Sequence, residues 1–215
     1  MKLGVVTFPG TCDDADARLA VAKVAESVAL WHGDSDLHGV DGVVVPGGFS
    51  YGDYLRAGSI ARFSPVMESV IAFARDGGPV LGICNGFQIL CEAGLLPGAL
   101  LPNKGLRFVC RQVDLVVQTV DTPFTSTCSE GQVLSIPAKH QTGCFYGDVP
   151  ASQVVLRYAP GHNFNGSQDD VAGVVNEQGN VMGLMPHPEH AVDVLTGGSA
   201  DGLKLFEGMA RVAVA

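Results

Sequence analysis

The chain has 215 residues, 47 % hydrophobic and 16 % charged, which is enough apolar material for a sizeable core and does not suit a disordered chain. Lys and Arg number 13 against 22 Asp and Glu, a formal charge of −9 with no basic run, so nucleic-acid binding is not expected and a protein or small-molecule partner is. No apolar stretch approaches the ~18 residues needed to span a bilayer, so no membrane association is expected either.

The first half alternates strand and helix patterns. Lys2–Phe8 reads as a strand; MKLGVVTFPG is too short for a secretory leader with its cleavage site, and a cytoplasmic location is expected. Asp13–Val28 reads as a helix, with Ala15, Leu19, Ala22 and Ala25 or Glu26 at helical spacing and acids in the first turn. Val28–Trp31 suits a short second strand. Gly42–Val45 is a buried-type strand that stops at Pro46-Gly47-Gly48. Pro65–Arg75 is a second helix, with Val66, Val70 and Phe73 on one face. Pro79–Ile83 is a strand, and Asn85–Ala93 a helix ending at Gly94.

The second half is different. Leu106–Val120, Gln132–Pro137, Val154–Tyr158, Asp170–Asn176 and Asn180–Met185 are strand-like, separated by Gly, Asn and Pro. Asp201–Val212 closes the chain as an amphipathic helix with Leu205, Met209 and Val212 along one stripe. The expectation is an α/β fold: one domain over residues 1–215, a mainly parallel central sheet flanked by helices, and antiparallel strands added in the second half.

Six cysteines stand at 12, 84, 91, 110, 128 and 144. None forms a CxxC pair, so the strong zinc spacings are absent, and reduced thiols are expected. Cys84 has the distinctive setting: Gly82-Ile83-Cys84-Asn85-Gly86, where an apolar run gives way to a helical pattern. This is the thiol counterpart of the G-x-S-x-G nucleophile elbow. Side chains at −2 and +2 would collide with the crossing strand and helix, and glycine removes them. The turn also sets Cys84 at a helix N-terminus, which favours a thiolate. The pentapeptide alone equally fits a buried structural cysteine beside a βα turn.

A catalytic cysteine needs a base, and the base an orienter. The candidate bases are His32, His38, His140, His162, His187 and His190. His187 lies in Met185-Pro186-His187-Pro188-Glu189, where the prolines favour extended backbone. Residues i and i+2 of an extended segment share a face, so Glu189 could hold one imidazole nitrogen while the other faces Cys84. His187 and His190, three apart in a Pro-rich turn with no further cluster, do not make a metal site, and none is expected. An oxyanion hole should complete the set. The N–H of Asn85 is one candidate donor, and the Val45-Pro46-Gly47-Gly48-Phe49 turn can supply a second. That turn lacks the G-x-G-x-x-G and P-loop patterns of phosphate sites.

Together, GICNG, the PGG turn and the distal PHPE resemble the class I (triad) glutamine amidotransferases. GGFSYGDYLRAG at 47–58, FPGTCDD near the N-terminus and NFNGS at 163–167 are similar to one subfamily, the glutaminase subunit of phosphoribosylformylglycinamidine synthase. The likeness covers nearly the whole chain. It implies that Cys84 attacks the carboxamide of L-glutamine, that His187 carries protons, that Glu189 orients His187, and that the main chain of Gly48 and Asn85 holds the oxyanion. Gln88, in CNGFQ, resembles a glutamine-contacting position. The resemblance also implies a large synthetase subunit that binds formylglycinamide ribonucleotide and ATP, often with a small third subunit. No ATP motif is recognisable here, so no cofactor is expected in this chain; ATP and magnesium belong on the partner. The sequence departs from the family in one loop: relatives commonly carry Gly-Glu-Gly where Lys139-His140-Gln141-Thr142-Gly143 stands, with Thr in place of the Glu. His190 stands where many relatives have Arg. Two other readings are a stand-alone Cys-His hydrolase of the same fold, against which SYGDYLRAG argues, and a non-catalytic regulatory subunit that kept the fold.

Overall fold

The computed structural model describes residues 1–212. In chain order its elements are β1 (Lys2–Thr7), α1 (Asp14–Ala22), β2 (Glu26–Trp31), β3 (Gly42–Val45), α2 (Pro65–Arg75), β4 (Val80–Ile83), α3 (Asn85–Glu92), β5 (Ala99–Pro102), β6 (Val109–Val117), β7 (Val133–His140), β8 (Thr142–Tyr146), β9 (Val154–Tyr158), β10 (Val171–Val175), β11 (Val181–Leu184), α4 (Val194–Gly197) and α5 (Leu203–Val212). Nine strands form one sheet in the order β2-β1-β3-β4-β11-β10-β9-β6-β7, and β5 pairs with β8 in a separate ribbon. Strands β2, β1, β3, β4 and β11 run parallel; β10, β9, β6 and β7 extend the sheet antiparallel. The parallel strands read as apolar runs because both faces are covered: every residue of β3, β4 and β11 is buried. Helix α3 packs on β4 and β11, and α1 packs on β1, β2 and α5.

Two expectations are corrected at α1. The helix ends at Ala22, not Val28, because Glu26–Trp31 pairs residue for residue with Lys2–Thr7 along the sheet edge. The turn between them is closed by Ala25 N–H donating to the Val21 carbonyl at 2.9 Å. The buried face is Ala17, Ala20 and Val21, and Leu19 stays 66 % exposed. Small side chains let the helix approach the sheet, so close packing selects them over the larger Leu19 stripe. In α5, Leu205 and Met209 are buried as the stripe requires; the side chain of Val212 lies outside the described residues. The ribbon strands β5 and β8 carry no clean alternation that sequence could expose. Among the described residues no helix is long and apolar enough to cross a membrane.

Candidate active site

The segments leaving the carboxyl ends of β1, β3, β4 and β11 converge, which is where open α/β sheets bind ligands. They contribute Cys12 and Asp13, Gly48 and Phe49, Cys84, and His187 to one cavity of about 370 Å³. Lys139, His140, Gln141 and Thr142, at the junction of β7 and β8, supply another wall.

Cys84 sits on the β4–α3 turn with φ 51° and ψ −104°. A non-glycine residue held there stores on the order of 1–3 kcal/mol of strain, which the surrounding packing must overcome. The packing is close: a Cβ on Gly86 would lie 1.8 Å from the Val45 carbonyl oxygen, and one on Gly82 2.8 Å from the Gly86 carbonyl carbon. The elbow inferred from GICNG is therefore present. The Cys84 N–H donates to the Leu184 carbonyl at 2.8 Å, locking the turn to β11. Its Sγ lies 4.0 Å from the Lys139 carbonyl oxygen, at the long limit for a thiol donor.

Burial works against the expected thiolate. Burial pushes the Cys84 thiol well up, and the carboxylates of Glu189 and Asp13 push it further. The Asn85 N–H and Lys139 oppose them only in part. The helix N-terminus acts on a residue only 6 % exposed, so loss of solvation outweighs it. For this sulfur to act as a nucleophile, a neighbouring base would have to take its proton.

His187 is the candidate base, and it lines the same cavity as Cys84. Its N–H donates to the Pro137 carbonyl at 2.7 Å, which pins the segment to β7. Its Nδ1 lies 2.6 Å from Glu189 Oε1, and Nε2 is buried without a hydrogen-bond partner among the described residues. The expected extended run stops at His187 (φ −105°, ψ 90°). Pro188 opens a 3-10 turn over Pro188–His190, and this turn folds Glu189 back onto the ring. Proline suits that first position because its φ is preset and its missing N–H is not needed. Burial pushes His187 down, which favours the neutral imidazole at rest. Burial also pushes Glu189 up, and the neighbouring His190 pulls it back down. With Glu189 ionised, Nδ1–H donates to it and the Nε2 lone pair is available.

Of the candidate oxyanion donors, Gly48 lines the cavity, and Asn85 starts α3 directly after the thiol, with its N–H at the sulfur. The N–H groups around Gly48 are spent: Phe49 donates to the Gly10 carbonyl at 2.9 Å and Cys12 to the Gly47 carbonyl at 3.3 Å. Gln88 also lines the cavity, but part of its amide is engaged. Nε2 donates to the Thr142 carbonyl at 2.6 Å, and Oε1 accepts from Asn85 Nδ2 at 2.8 Å. In the departing loop, Thr142 thus meets Gln88 through its main chain, whatever its side chain. His140 is buried; its Nδ1 lies 3.0 Å from Asn103 Oδ1, and burial pushes its pKa down to about 3. Asn103 Nδ2 already donates to the Arg107 and His140 carbonyls, so Oδ1 must accept, and the His140 proton resides on Nδ1.

The longer motifs build the walls. Within 47–58, Asp53 accepts from Asn85 Nδ2 at 3.1 Å, and Ser50 N–H donates to Asn85 Oδ1 at 3.0 Å. Arg56 grips Glu92 of α3 with two bonds of 2.6 Å. In NFNGS, Asn165 Nδ2 donates to the Gly143 carbonyl at 2.8 Å, buttressing the 139–143 turn from behind. All six cysteines are free.

Asp13, His187, Glu189 and His190 bring potential ligand atoms within 4.8 Å of one another, a donor set that zinc would accept. Lys139 Nζ, however, stands 2.6 Å from Asp13 Oδ1 and already neutralises one of the two carboxylates. The set therefore reads as an internally paired network.

The chain matches the model of the CobB/CobQ-like glutamine amidotransferase domain over residues 2–202. The chain belongs to this family. A relative from Corynebacterium glutamicum, named phosphoribosylformylglycinamidine synthase subunit PurQ, is 59 % identical over 213 residues, 95 % of each chain. One of the same name from Mycobacterium tuberculosis is 57 % identical over 95 % of this chain and 94 % of its own. Among solved structures, that of PurLQS from Thermotoga maritima superimposes with a TM-score of 0.92 at 42 % identity, covering 98 % of both chains. A putative GMP synthase component from Thermoplasma acidophilum shares the fold alone, with a TM-score of 0.69 at 18 % identity. The structure brings the sequence candidates Cys84 and His187 to one cavity and Glu189 to the His187 ring. Sequence reasoning did not single out Asp13, which lines the same cavity, because an acid at the start of α1 reads as an ordinary helix-dipole partner.

Proposed function

We propose that the chain is the glutaminase subunit of a phosphoribosylformylglycinamidine synthase in purine biosynthesis. It would act in the cytoplasm, release ammonia from L-glutamine and pass it to an ATP-dependent synthetase subunit. The observation that carries this reading is the convergence of Cys84 and His187 on one cavity, with Glu189 behind it at 2.6 Å from His187 Nδ1, in a chain of the glutamine amidotransferase family. The names of full-length relatives and the likeness to PurLQS support the choice of synthase and of a large partner.

The residues divide the reaction as follows. His187 Nε2 takes the Cys84 proton as sulfur attacks the δ-carbon of glutamine. The N–H groups of Gly48 and Asn85 hold the developing oxyanion, each contributing about 3 kcal/mol of transition-state stabilisation. The C–N bond breaks, His187 returns the proton to nitrogen, and ammonia leaves a γ-glutamyl thioester on Cys84. Water then attacks the thioester, His187 takes its proton and passes it to sulfur, and glutamate departs. Throughout, Glu189 keeps Nδ1 protonated and steadies the imidazolium. Free ammonia would equilibrate with ammonium, so a synthetase that uses it must receive it directly. The ATP and magnesium for the amide-to-amidine step belong on that partner, with formylglycinamide ribonucleotide, and a small third subunit completes the assembly.

The test is glutamate release by the chain with and without its cognate synthetase. Low activity alone and stimulation by the synthetase are expected. Full turnover by the isolated chain, unchanged by the partner, supports the stand-alone hydrolase instead. No turnover in either state supports a regulatory subunit.

A further inference from the structure

We propose that Asp13 is a positioning residue of the glutaminase centre: a second carboxylate that, balanced by Lys139, holds the His187 ring and favours its charged form. The inference rests on the glutaminase reading and adds two residues to its machinery.

Asp13 occupies the N-cap position of α1, where a carboxylate ordinarily accepts a hydrogen bond from the first turn. It makes no such bond. The side chain turns away from the helix and is buried, with Oδ1 2.6 Å from Lys139 Nζ and Oδ2 3.6 Å from His187 Nδ1. A buried charge is kept only where it is paired, and here the pairing spans the site from the end of β1 to the end of β7. The β3 turn leaves room for it: a Cβ on Gly47 would come 2.5 Å from Asp13 Oδ2 and 2.7 Å from His187 Cε1. His187 thus has Glu189 at hydrogen-bond distance on Nδ1 and Asp13 about one ångström further out.

The charges facing His187 can be named element by element. Glu189 and His190 come from its own turn, and the His190 ring stacks at 5.3 Å with its Nε2 3.1 Å from Asp16. Asp13 comes from α1, Lys139 and the neutral His140 from the end of β7, and Cys84 from the elbow. Burial is the largest influence on His187 and lowers its pKa; Asp13 raises it, and Lys139 and His190 lower it. Asp13 raises, and Lys139 lowers, both Cys84 and Glu189 as well. Asp13 and Lys139 therefore pull the whole triad in opposite directions. Removing Asp13 should make protonation of the His187–Glu189 pair harder. Removing the Lys139 ammonium should make it easier.

The experiment compares wild type, Asp13→Asn, Asp13→Glu and Lys139→Met, each assembled with the cognate synthetase, by the pH dependence of glutaminase kcat/KM. The expected result is an acid limb moved to lower pH by about one unit in Asp13→Asn and to higher pH by about one unit in Lys139→Met. Asp13→Glu should restore the wild-type limb. Folding is checked by thermal melting, and Lys139→Met decides the matter if Asp13→Asn does not fold. Limbs that superimpose on wild type in folded variants overturn the proposal. So does a rise in KM alone, which would make the pair a glutamine contact. A wild type that releases no glutamate at any pH, with or without the synthetase, overturns the glutaminase reading itself.

Discussion

Replacing Gly86 by alanine tests whether the elbow is held by steric closeness. The added methyl would stand 1.8 Å from the Val45 carbonyl oxygen, and ordinary contact begins near 3.4 Å. Helix α3 must therefore back away from β3 by roughly 1.6 Å, and neither partner is a side chain that can swing aside. Overpacking of this kind costs about 3 kcal/mol. The intrinsic helix gain of alanine over glycine returns about 1 kcal/mol at most. The net loss of about 2 kcal/mol should lower Tm by roughly 4–8 °C in a chain of this length. Activity should suffer more, because Cys84 is two residues away and a 1 Å misplacement of a reacting atom costs on the order of 100-fold. Differential scanning calorimetry and glutaminase assay of the same preparation measure both. Gly105→Ala, whose methyl would meet nothing within 4 Å, is the control and should change neither. A Gly86→Ala protein with wild-type Tm and wild-type turnover would refute the steric account of the elbow.

Glu189→Gln keeps the size of the orienting side chain and removes its charge. The His187 ring would lose its preferred tautomer and its imidazolium its counter-charge, so kcat should fall between about 100-fold and 10,000-fold with the fold intact, as steady-state assay and circular dichroism can show. Asn180 ties β11 to the end of α2, donating to the Ala74 and Gly78 carbonyls at 2.7 and 2.9 Å. Asn180→Ala removes both bonds, although the Ala74 carbonyl keeps the Gly77 N–H at 3.1 Å, and should cost about 2 kcal/mol, seen as a lower denaturation midpoint with unchanged KM for glutamine.

Much of this molecule was legible before any coordinates. The bounds of α2 and β9 match the pattern reading residue for residue. The short β-branched run Gly42–Val45, stopped by Pro46-Gly47-Gly48, suits a strand buried on both faces. The elbow was legible because Gly82 and Gly86 answer a local steric demand. What escaped depended on distant partners. The register of β2 against β1 overrode a helical pattern that looked continuous to Val28. Strands β5 and β8 exist because they pair with each other outside the main sheet. The desolvation of the Cys84 thiol escaped too, since a sequence displays the helix N-terminus but not the burial that opposes it. Asp13 escaped for the same reason: its partner Lys139 lies 126 positions away.

The account depends most directly on the sulfur of Cys84. Mass spectrometry after treatment with a glutamine-analogue electrophile, with the synthetase present, should find one adduct, on Cys84, blocked by excess glutamine and absent from Cys84→Ser. An adduct on Cys12, which lines the same cavity, or labelling that persists in Cys84→Ser would contradict it.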